Sequence, residues 1–364
     1  GGSAAHSSRL THRLAGTLQS AEPPCFIRRN AGTDRRKAAQ LPLCSKRSGR
    51  RRLARRPRES AQERRGRRVP AAPTMASESK GDGFMADAEK ALKRFSLFGA
   101  GSKYEDAEEA FKRAGNAYKV SKCWEKSAEA FQKAAEMAVK IDNTHEAATY
   151  TLEAAKCLKK VNIGESTELY MNVITQYEEM GKFSAAAKLE KEVAEMFESE
   201  SETEQAIRHY QRAADLFAGE NATSSANGCL MKVGHFQALA ENYEDAITVF
   251  EEVGSAFVEN EMMKFKARSV FLQAGLCHLA AGDPVAAERA IARYREIDYT
   301  FADCRESKLL EAVHAAYVAF DVDAFTEQIA SYDTISKLTP WQTTILLRIK
   351  TAMAAAGEEA VDLS

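Results

Sequence analysis

The 364 residues contain no GxxxxGK(S/T), HExxH, GxGxxG or GxSxG string. Phosphate loops, zinc-protease helices, dinucleotide folds and nucleophile elbows therefore lack their signatures. No apolar run approaches the about 18 residues of a membrane-spanning helix. The 7 cysteines show no CxxC spacing and follow no apolar secretory segment, which fits reduced thiols in a cytosolic chain. Cys123, Cys157, Cys229 and Cys277 fall in helix-like stretches, where a free cysteine serves as a small buried hydrophobe. Two of the 7 histidines precede Met75, and His145, His209, His235, His278 and His314 fall one to a helix. Cys277 and His278 are neighbours, but adjacent helical residues project about 100° apart and share an ion poorly. Glu108-Glu109, Glu178-Glu179 and Glu251-Glu252 read as charge pairs on solvated faces. These absences argue against an enzyme, a cofactor, a metal and a small-molecule substrate.

Acids are scarce at one end only. Residues 1–74 carry 17 Arg and 2 Lys against 4 acidic residues, whereas 75–364 carry 32 basic and 48 acidic residues. The overall charge of −1 hides two opposite segments. Residues 1–74 show no sustained apolar periodicity and cannot bury a core. An Arg- and Ser-rich, acid-poor stretch suits an organelle transit peptide, and Arg50-Arg51-Arg52 with Arg64-Arg65 would suit a nucleic-acid-binding arm. The favoured reading is a disordered basic leader outside the native protein, because the first Met of the chain, Met75, stands where the composition changes. On that reading no nucleic acid is bound.

A repeat organises the rest. From Tyr104 to about His278, a small residue and an aromatic are followed, three residues past the small residue's neighbour, by Ala or Val: Ala110-Phe111 with Ala114, then Ala130-Phe131 with Ala134. The last position recurs at Ala154, Val173, Ala194, Ala213, Val233, Val253 and Ala274, at intervals of 19 to 21 residues. One helix and its turn fill such a period, and two make an antiparallel hairpin. Ala107, Ala110, Phe111, Ala114, Ala117 and Tyr118 share one helical face, with Glu108, Glu109, Lys112 and Arg113 opposite. Each unit can hide that face only against its neighbours. The fold class is therefore all-α, a TPR-like α-solenoid of stacked hairpins over 75–300, which favours a binding platform over a catalytic pocket.

Phe84 to about Arg94 reads as a first helix, and 95–102 as a loop in which Phe95, Leu97 and Phe98 precede two glycines. Burying each of those side chains would yield on the order of 1.5–3 kcal/mol. They fold back onto the first hairpin or make a reversible contact with a membrane surface or partner. Turns are expected at 141–144, 161–164, 180–182, 198–203, 218–221, 241–242 and 281–284, the last with a Gly-Asp-Pro stop and start. Asn221-Ala222-Thr223 is a glycosylation sequon by letter and reads as an ordinary turn. After Tyr299 the beat weakens, and Cys304 to Phe320, Ala324 to Ser331 and Trp341 to Ala355 form a helical bundle cap over 301–356. Residues 357–364 form a short acidic tail expected to be mobile.

Lys119, Lys122, Lys159, Lys160, Lys182, Lys188, Lys232, Lys264, Lys266 and Arg268 fall at or near unit ends. Equivalent positions of stacked units align, so they predict a basic stripe suited to an elongated acidic partner. Preference of helix C-termini for cations accounts for about half of them.

From Met75 onward the chain resembles the soluble NSF attachment proteins, and within them the alpha/beta type. The resemblance covers 84–364 and is carried most specifically by Ser224 to Val233 (SSANGCLMKV), Tyr332 to Lys350 (YDTISKLTPWQTTILLRIK) and the ending GEEAVDLS. It implies an adaptor for membrane fusion, cytoplasmic and peripheral on membranes, that coats a SNARE four-helix complex and recruits and stimulates the NSF hexamer. It maps SNARE contacts onto Lys122, Lys159, Lys160, Lys182, Lys188, Lys232, Arg268 and Arg305. Membrane contact maps onto Phe95, Leu97 and Phe98, and ATPase engagement onto Glu358, Glu359, Asp362 and Leu363, with Asp283 nearby. Gly228 stands where animal members carry a SNARE-binding Lys, and Ala315, Val318 and Ala319 where they carry acidic contacts for the ATPase. The helical repeat alone also admits a generic TPR-like scaffold or co-chaperone that clamps a C-terminal carboxylate.

Overall fold

A computed structural model of the chain describes residues 73–93 and 101–362. Residues 1–72, the apolar triad Phe95, Leu97 and Phe98, and Leu363 lie outside the described residues. The described chain is helical: α1 (Pro73–Lys93), α2 (Gly101–Ser121), α3 (Trp124–Lys140), α4 (Thr144–Leu158), α5 (Ile163–Glu179), α6 (Phe183–Ser199) and α7 (Thr203–Gly219) lead into α8 (Thr223–Leu239), α9 (Tyr243–Glu259) and α10 (Lys264–Ala280). There follow α11 (Pro284–Ile297), a 3-10 turn (Tyr299–Phe301), α12 (Arg305–Val318), α13 (Val322–Ile335) and α14 (Pro340–Asp362).

The repeat positions fall one to a helix in α2 to α10, and all are buried: Ala114, Ala134, Ala154, Val173, Ala194, Ala213, Val233, Val253 and Ala274. One turn earlier stands the large side chain that fills the groove to the neighbour. It is Phe111, Phe131, Tyr150, Tyr170, Tyr210, Phe250 or Phe271, each almost wholly buried. One turn before the Val193–Ala194 pair, α6 puts Glu190 in that place, also fully buried. Its Oε2 lies 2.7 Å from His209 Nδ1, and its Oε1 lies 3.0 Å from Arg212 Nε. The Arg212 N–H is not aimed at Oε1, so that pair is coulombic rather than hydrogen-bonded.

A second regularity follows the repeat position by one residue. Gly115, Gly234 and Gly254 leave a hole into which the ring of the next helix sinks; a Cβ there would stand 2.9 Å from the Phe131 ring, 2.6 Å from Phe250 and 2.5 Å from Phe271. Van der Waals attraction needs about 3.5–4.0 Å between carbons, so only glycine lets these helices approach so closely.

The turns share one geometry. Backbone N–H groups of Cys123, Asn143, Lys182, Glu202, Ala222, Asn242, Asp283 and Asp321 each donate to a carbonyl five residues back, the outer bond of the Schellman cap. The residue before each occupies the left-handed region, at Gly181 (φ 68°) and Gly282 (φ 80°), and also at Lys122, Asp142, Ser201, Asn221, Glu241 and Phe320. The breaks at 121–123 and 260–263 are not among the turns expected from the sequence.

Short turns make successive helices antiparallel, so α2, α4, α6, α8 and α10 form one layer and the odd helices the other. Side chains bridge within a layer. Tyr150 on α4 donates to Glu108 on α2 at 2.7 Å, and Lys232 on α8 reaches Glu198 on α6 at 2.7 Å. In the odd layer Arg212 on α7 meets Glu178 on α5 at 2.8 Å, and Tyr294 on α11 donates to Glu251 on α9 at 2.7 Å. The 20-residue beat ends at α10 because that helix is surrounded: Val270, Phe271, Leu272, Gln273, Leu276 and Leu279 on its several faces are all buried, with α9, α11, α12 and α14 around it. Two boundaries differ from the sequence expectation. The first helix starts at Pro73 rather than Phe84, and α14 runs on through residues 357–362, where Gly357 is outweighed by Ala and Glu, good helix formers.

Two stability outcomes follow. Gly254→Ala should lower unfolding free energy by about 1–3 kcal/mol by overpacking against Phe271, measured as a urea midpoint shift; an unchanged midpoint would show that the interlock is slack. Arg212→Ala should cost roughly 1–3 kcal/mol more than Arg208→Ala, because it strands the buried Glu190 carboxylate, whereas Arg208 pairs only with exposed Glu204. Equal losses in thermal melts would contradict this.

Candidate functional site

Of the eight basic positions assigned to the acidic partner, Lys188, Lys232 and Arg268 lie on even helices of the array, Lys122, Lys159, Lys160 and Lys182 stand in turns at the ends of even helices, and Arg305 opens α12. Lys122 immediately follows α2, and Lys159 with Lys160 immediately follow α4. Lys182 precedes α6 and Lys188 sits in its second turn, while Lys232 is midway along α8, Arg268 in the second turn of α10 and Arg305 first in α12. The even helices run parallel, so these positions do not line one edge as the repeat alone suggests. They start at the C-terminal edge in α2 and α4, and reach the N-terminal half in α6, α10 and α12. A 17-residue helix is about 25 Å long, so the basic stripe crosses the layer obliquely.

Their charges are not equally available. Among the described residues no carboxylate pairs with Lys122, Lys159, Lys160, Lys182 or Lys188; the Lys182 ammonium sits 5.8 Å over the Tyr177 ring. Lys232 is engaged by Glu198. Arg268 Nη2 donates to Thr300 Oγ1 at 3.0 Å, and that hydroxyl donates to the fully buried Asp298. Arg305 donates weakly to Ser336, at 3.4 Å. The free charge is thus concentrated in the first half of the array.

Sequence reasoning missed an apolar element beside the stripe. Met262 is 85% exposed and Phe265 65%, at the turn into α10 and flanked by Lys264 and Lys266. They stand three residues apart, off the buried face of α10, which is the one signal that could have found them. Phe265 and Lys266 line a cleft of about 370 Å³ between α8 and α10, with Met231, Met263 and Gly228. Nothing lies within 4 Å of the Cβ position of Gly228, so this cleft is open where animal relatives were expected to place a Lys.

The odd layer has the opposite character. A cleft of about 650 Å³ between α7 and α9, floored by Leu230, is lined by Asp215, Glu252, Glu259 and Glu261 with no Lys, Arg or His. A groove that clamps a C-terminal carboxylate needs cations, which this cleft lacks; a second cleft on the same side, of about 530 Å³, carries Arg208 and Arg212 beside Asp215 and Asp245.

At the other end, exposed Asp283 is committed to capping α11, its Oδ1 accepting from the Ala286 N–H at 2.8 Å. Ala315, Val318 and Ala319 on α12 face solvent, and Val318 with Phe320 makes an apolar rather than acidic surface. Glu358, Glu359 and Asp362 fall on the last turns of α14, whose side chains lie outside the described residues. Within the described residues no helix is long and apolar enough to cross a membrane.

The family model described as soluble NSF attachment protein, SNAP, matches residues 79–354. The chain is 38% identical over 288 residues to the human alpha-soluble NSF attachment protein, covering 78% of this chain and 97% of that one. It is 39% identical over 291 residues to the Dictyostelium discoideum protein of that name, covering 79% of this chain and all of the other. A more distant relative is the vesicular-fusion protein SEC17 of Coprinopsis cinerea, 33% identical over 252 residues, covering 69% and 87% of the two chains. With a family model across most of the chain and relatives matched over nearly their full length, the chain belongs to the soluble NSF attachment protein family.

Proposed function

We propose that this protein is a non-enzymatic adaptor: its even layer grips an assembled SNARE four-helix complex, and its C-terminal end recruits and stimulates the NSF hexamer for vesicle-fusion traffic. The observation that carries this reading is the set of eight basic positions on, or at the ends of, the even-numbered helices of a segment that is otherwise acidic. A SNARE bundle is a long acidic rod. An oblique row of weakly held cations binds such a rod in register, releases it readily and acts through many small terms at once. Met262 and Phe265 add apolar contact beside the charges, which fixes position without adding salt sensitivity.

The loop bearing Phe95, Leu97 and Phe98 supplies a second weak anchor at the membrane surface, and the protein works in the cytoplasm, peripheral to membranes. Two anchors on one stiff body multiply their effects. Force comes from the partner ATPase, engaged through Glu358, Glu359, Asp362 and Leu363 at the end of α14. Asp283 belongs to this engagement only if it can leave its capping bond.

Reversing Lys182 and Lys188 to Glu should cut capture on a soluble SNARE complex roughly tenfold at low salt, since each reversal both removes an attraction and adds a repulsion. Wild-type capture by that variant in a pull-down would reject the basic layer as the contact surface. Leu363→Ala should leave SNARE capture unchanged and lower NSF-driven disassembly, followed as loss of fluorescence transfer between labelled SNAREs; an unaltered rate would remove the tail from the ATPase contact.

A further inference from the structure

Lys232 differs from the free lysines of the stripe. Its Nζ donates to Glu198 Oε1 at 2.7 Å, and Glu198 Oε2 accepts from the Tyr210 hydroxyl at 2.6 Å. Tyr210 is buried at the α6–α7 packing, stacked on Phe236 with ring centroids 6.1 Å apart, so its hydroxyl cannot follow Glu198 elsewhere. Lys232 Nζ in turn lies 5.9 Å over the Phe236 ring. Glu198 is therefore a fixed post, held from one side by a core tyrosine and holding a lysine on the other. Burial alone would raise its carboxyl; the hydrogen bonds from Lys232 and Tyr210 outweigh that and keep it below the ordinary value, ionised at neutral pH.

Glu198 occupies one of the three N–H donors of Lys232 and neutralises its charge, so a carboxylate of an acidic partner competes with Glu198 for that lysine. We propose that Glu198 is an affinity-setting residue, an internal competitor that withholds the Lys232 charge until a partner carboxylate is positioned to replace it. This rests on the adaptor reading and deepens it. Engagement begins at Lys122, Lys159, Lys160, Lys182 and Lys188, which cost nothing to free. It extends to α8 by exchange of one ion pair for another, so that half of the surface selects for correctly placed carboxylates rather than for negative charge in general. Lys232 and Glu198 are both partly exposed, so the exchange is worth little in either direction, as for surface ion pairs at large.

The prediction is a gain of binding from loss of a charge. Glu198→Gln keeps an oxygen for the Tyr210 hydroxyl and removes the competitor. It should bind soluble SNARE complex about two- to fivefold more tightly at low salt, by fluorescence anisotropy or calorimetry. The gain should vanish in the Lys232→Ala background, and Glu136→Gln, an equal charge change on the odd helix α3, should produce none of it. Unchanged or weaker binding by Glu198→Gln would overturn the proposal, and so would a gain that survives Lys232→Ala or is matched by Glu136→Gln. Failure of the adaptor reading has a different signature, undiminished capture by the Lys182 and Lys188 reversals.

Discussion

The structure depends on how closely consecutive helices can approach. At each beat a small buried residue removes bulk from the interface, and at seven of the nine a ring one turn earlier fills the groove to a neighbour. Where Gly115, Gly234 or Gly254 follows, there is not even a Cβ in the way. Because every helix both offers a hole and receives a knob, no hairpin is complete alone, and the two-layer stack is the smallest arrangement that satisfies them all. The one departure from apolar filling shows how strict the requirement is. Glu190 occupies the knob position of α6 and is tolerated only with His209 and Arg212 drawn in from α7 around it.

That packing also sorts the charge. A helix buried along one stripe has a single solvent face, and the alternation of layers sends even and odd helices to opposite sides. An acidic chain can therefore carry a basic surface, provided its lysines fall on helices of one parity. Lys188, Lys232 and Arg268 lie on even helices and Lys122, Lys159 and Lys160 in the turns that follow α2 and α4, although Lys126, Lys133 and Lys140 sit on α3 and Arg208 and Arg212 on α7. The odd side keeps unpaired carboxylates such as Glu252 and Glu259 around its cleft.

Much of this was legible in the residues. The beat at Ala114, Ala134 and onward located one buried position in each of nine helices, because helix burial follows a period that local sequence must respect. Turns were legible where Gly, Asn or Pro marked them. They were not at Lys122, where a residue with no turn preference is held in the same cap, or at 260–263, where the chain breaks through an extended Asn260 instead. Spacing places the basic residues at or near unit ends, but it gives the face of a helix and not its axial register against neighbours, so the oblique course of the stripe needs the assembled fold. Glu190 was invisible as a core residue because its partners, His209 and Arg212, lie in another helix. Met262 and Phe265 were missed because exposure of an apolar side chain is a property of the assembled surface. The acidic end was read as a tail, yet 357–362 continue α14, because helix propensity and an existing helical end outweigh a single Gly.

The course of α14 bears on how a pull at that end would be shared. Trp341 Nε1 donates to the His235 carbonyl at 3.0 Å, and its ring sits 5.6 Å from Phe250. Arg348 donates to the carbonyls of Ala238 and Leu239 at 2.9 Å and 2.8 Å. These are among the last carbonyls of α8, which have no partner within their own helix, and a cation there also meets the negative end of the helix dipole. Along the chain, α14 is separated from α8 by five helices; through these bonds the separation is one contact. Ile345, Leu346, Ile349 and Met353 fasten the same helix to buried α10. Load applied beyond Asp362 would thus enter α8 and α10, the helices that carry Lys232 and Arg268, before reaching the free lysines of α2 to α6. The half of the stripe whose charges are held back is the half most directly tied to the end where the motor is proposed to act. On the proposed reading, the first contacts of capture and the transfer of load then fall to different helices of the array.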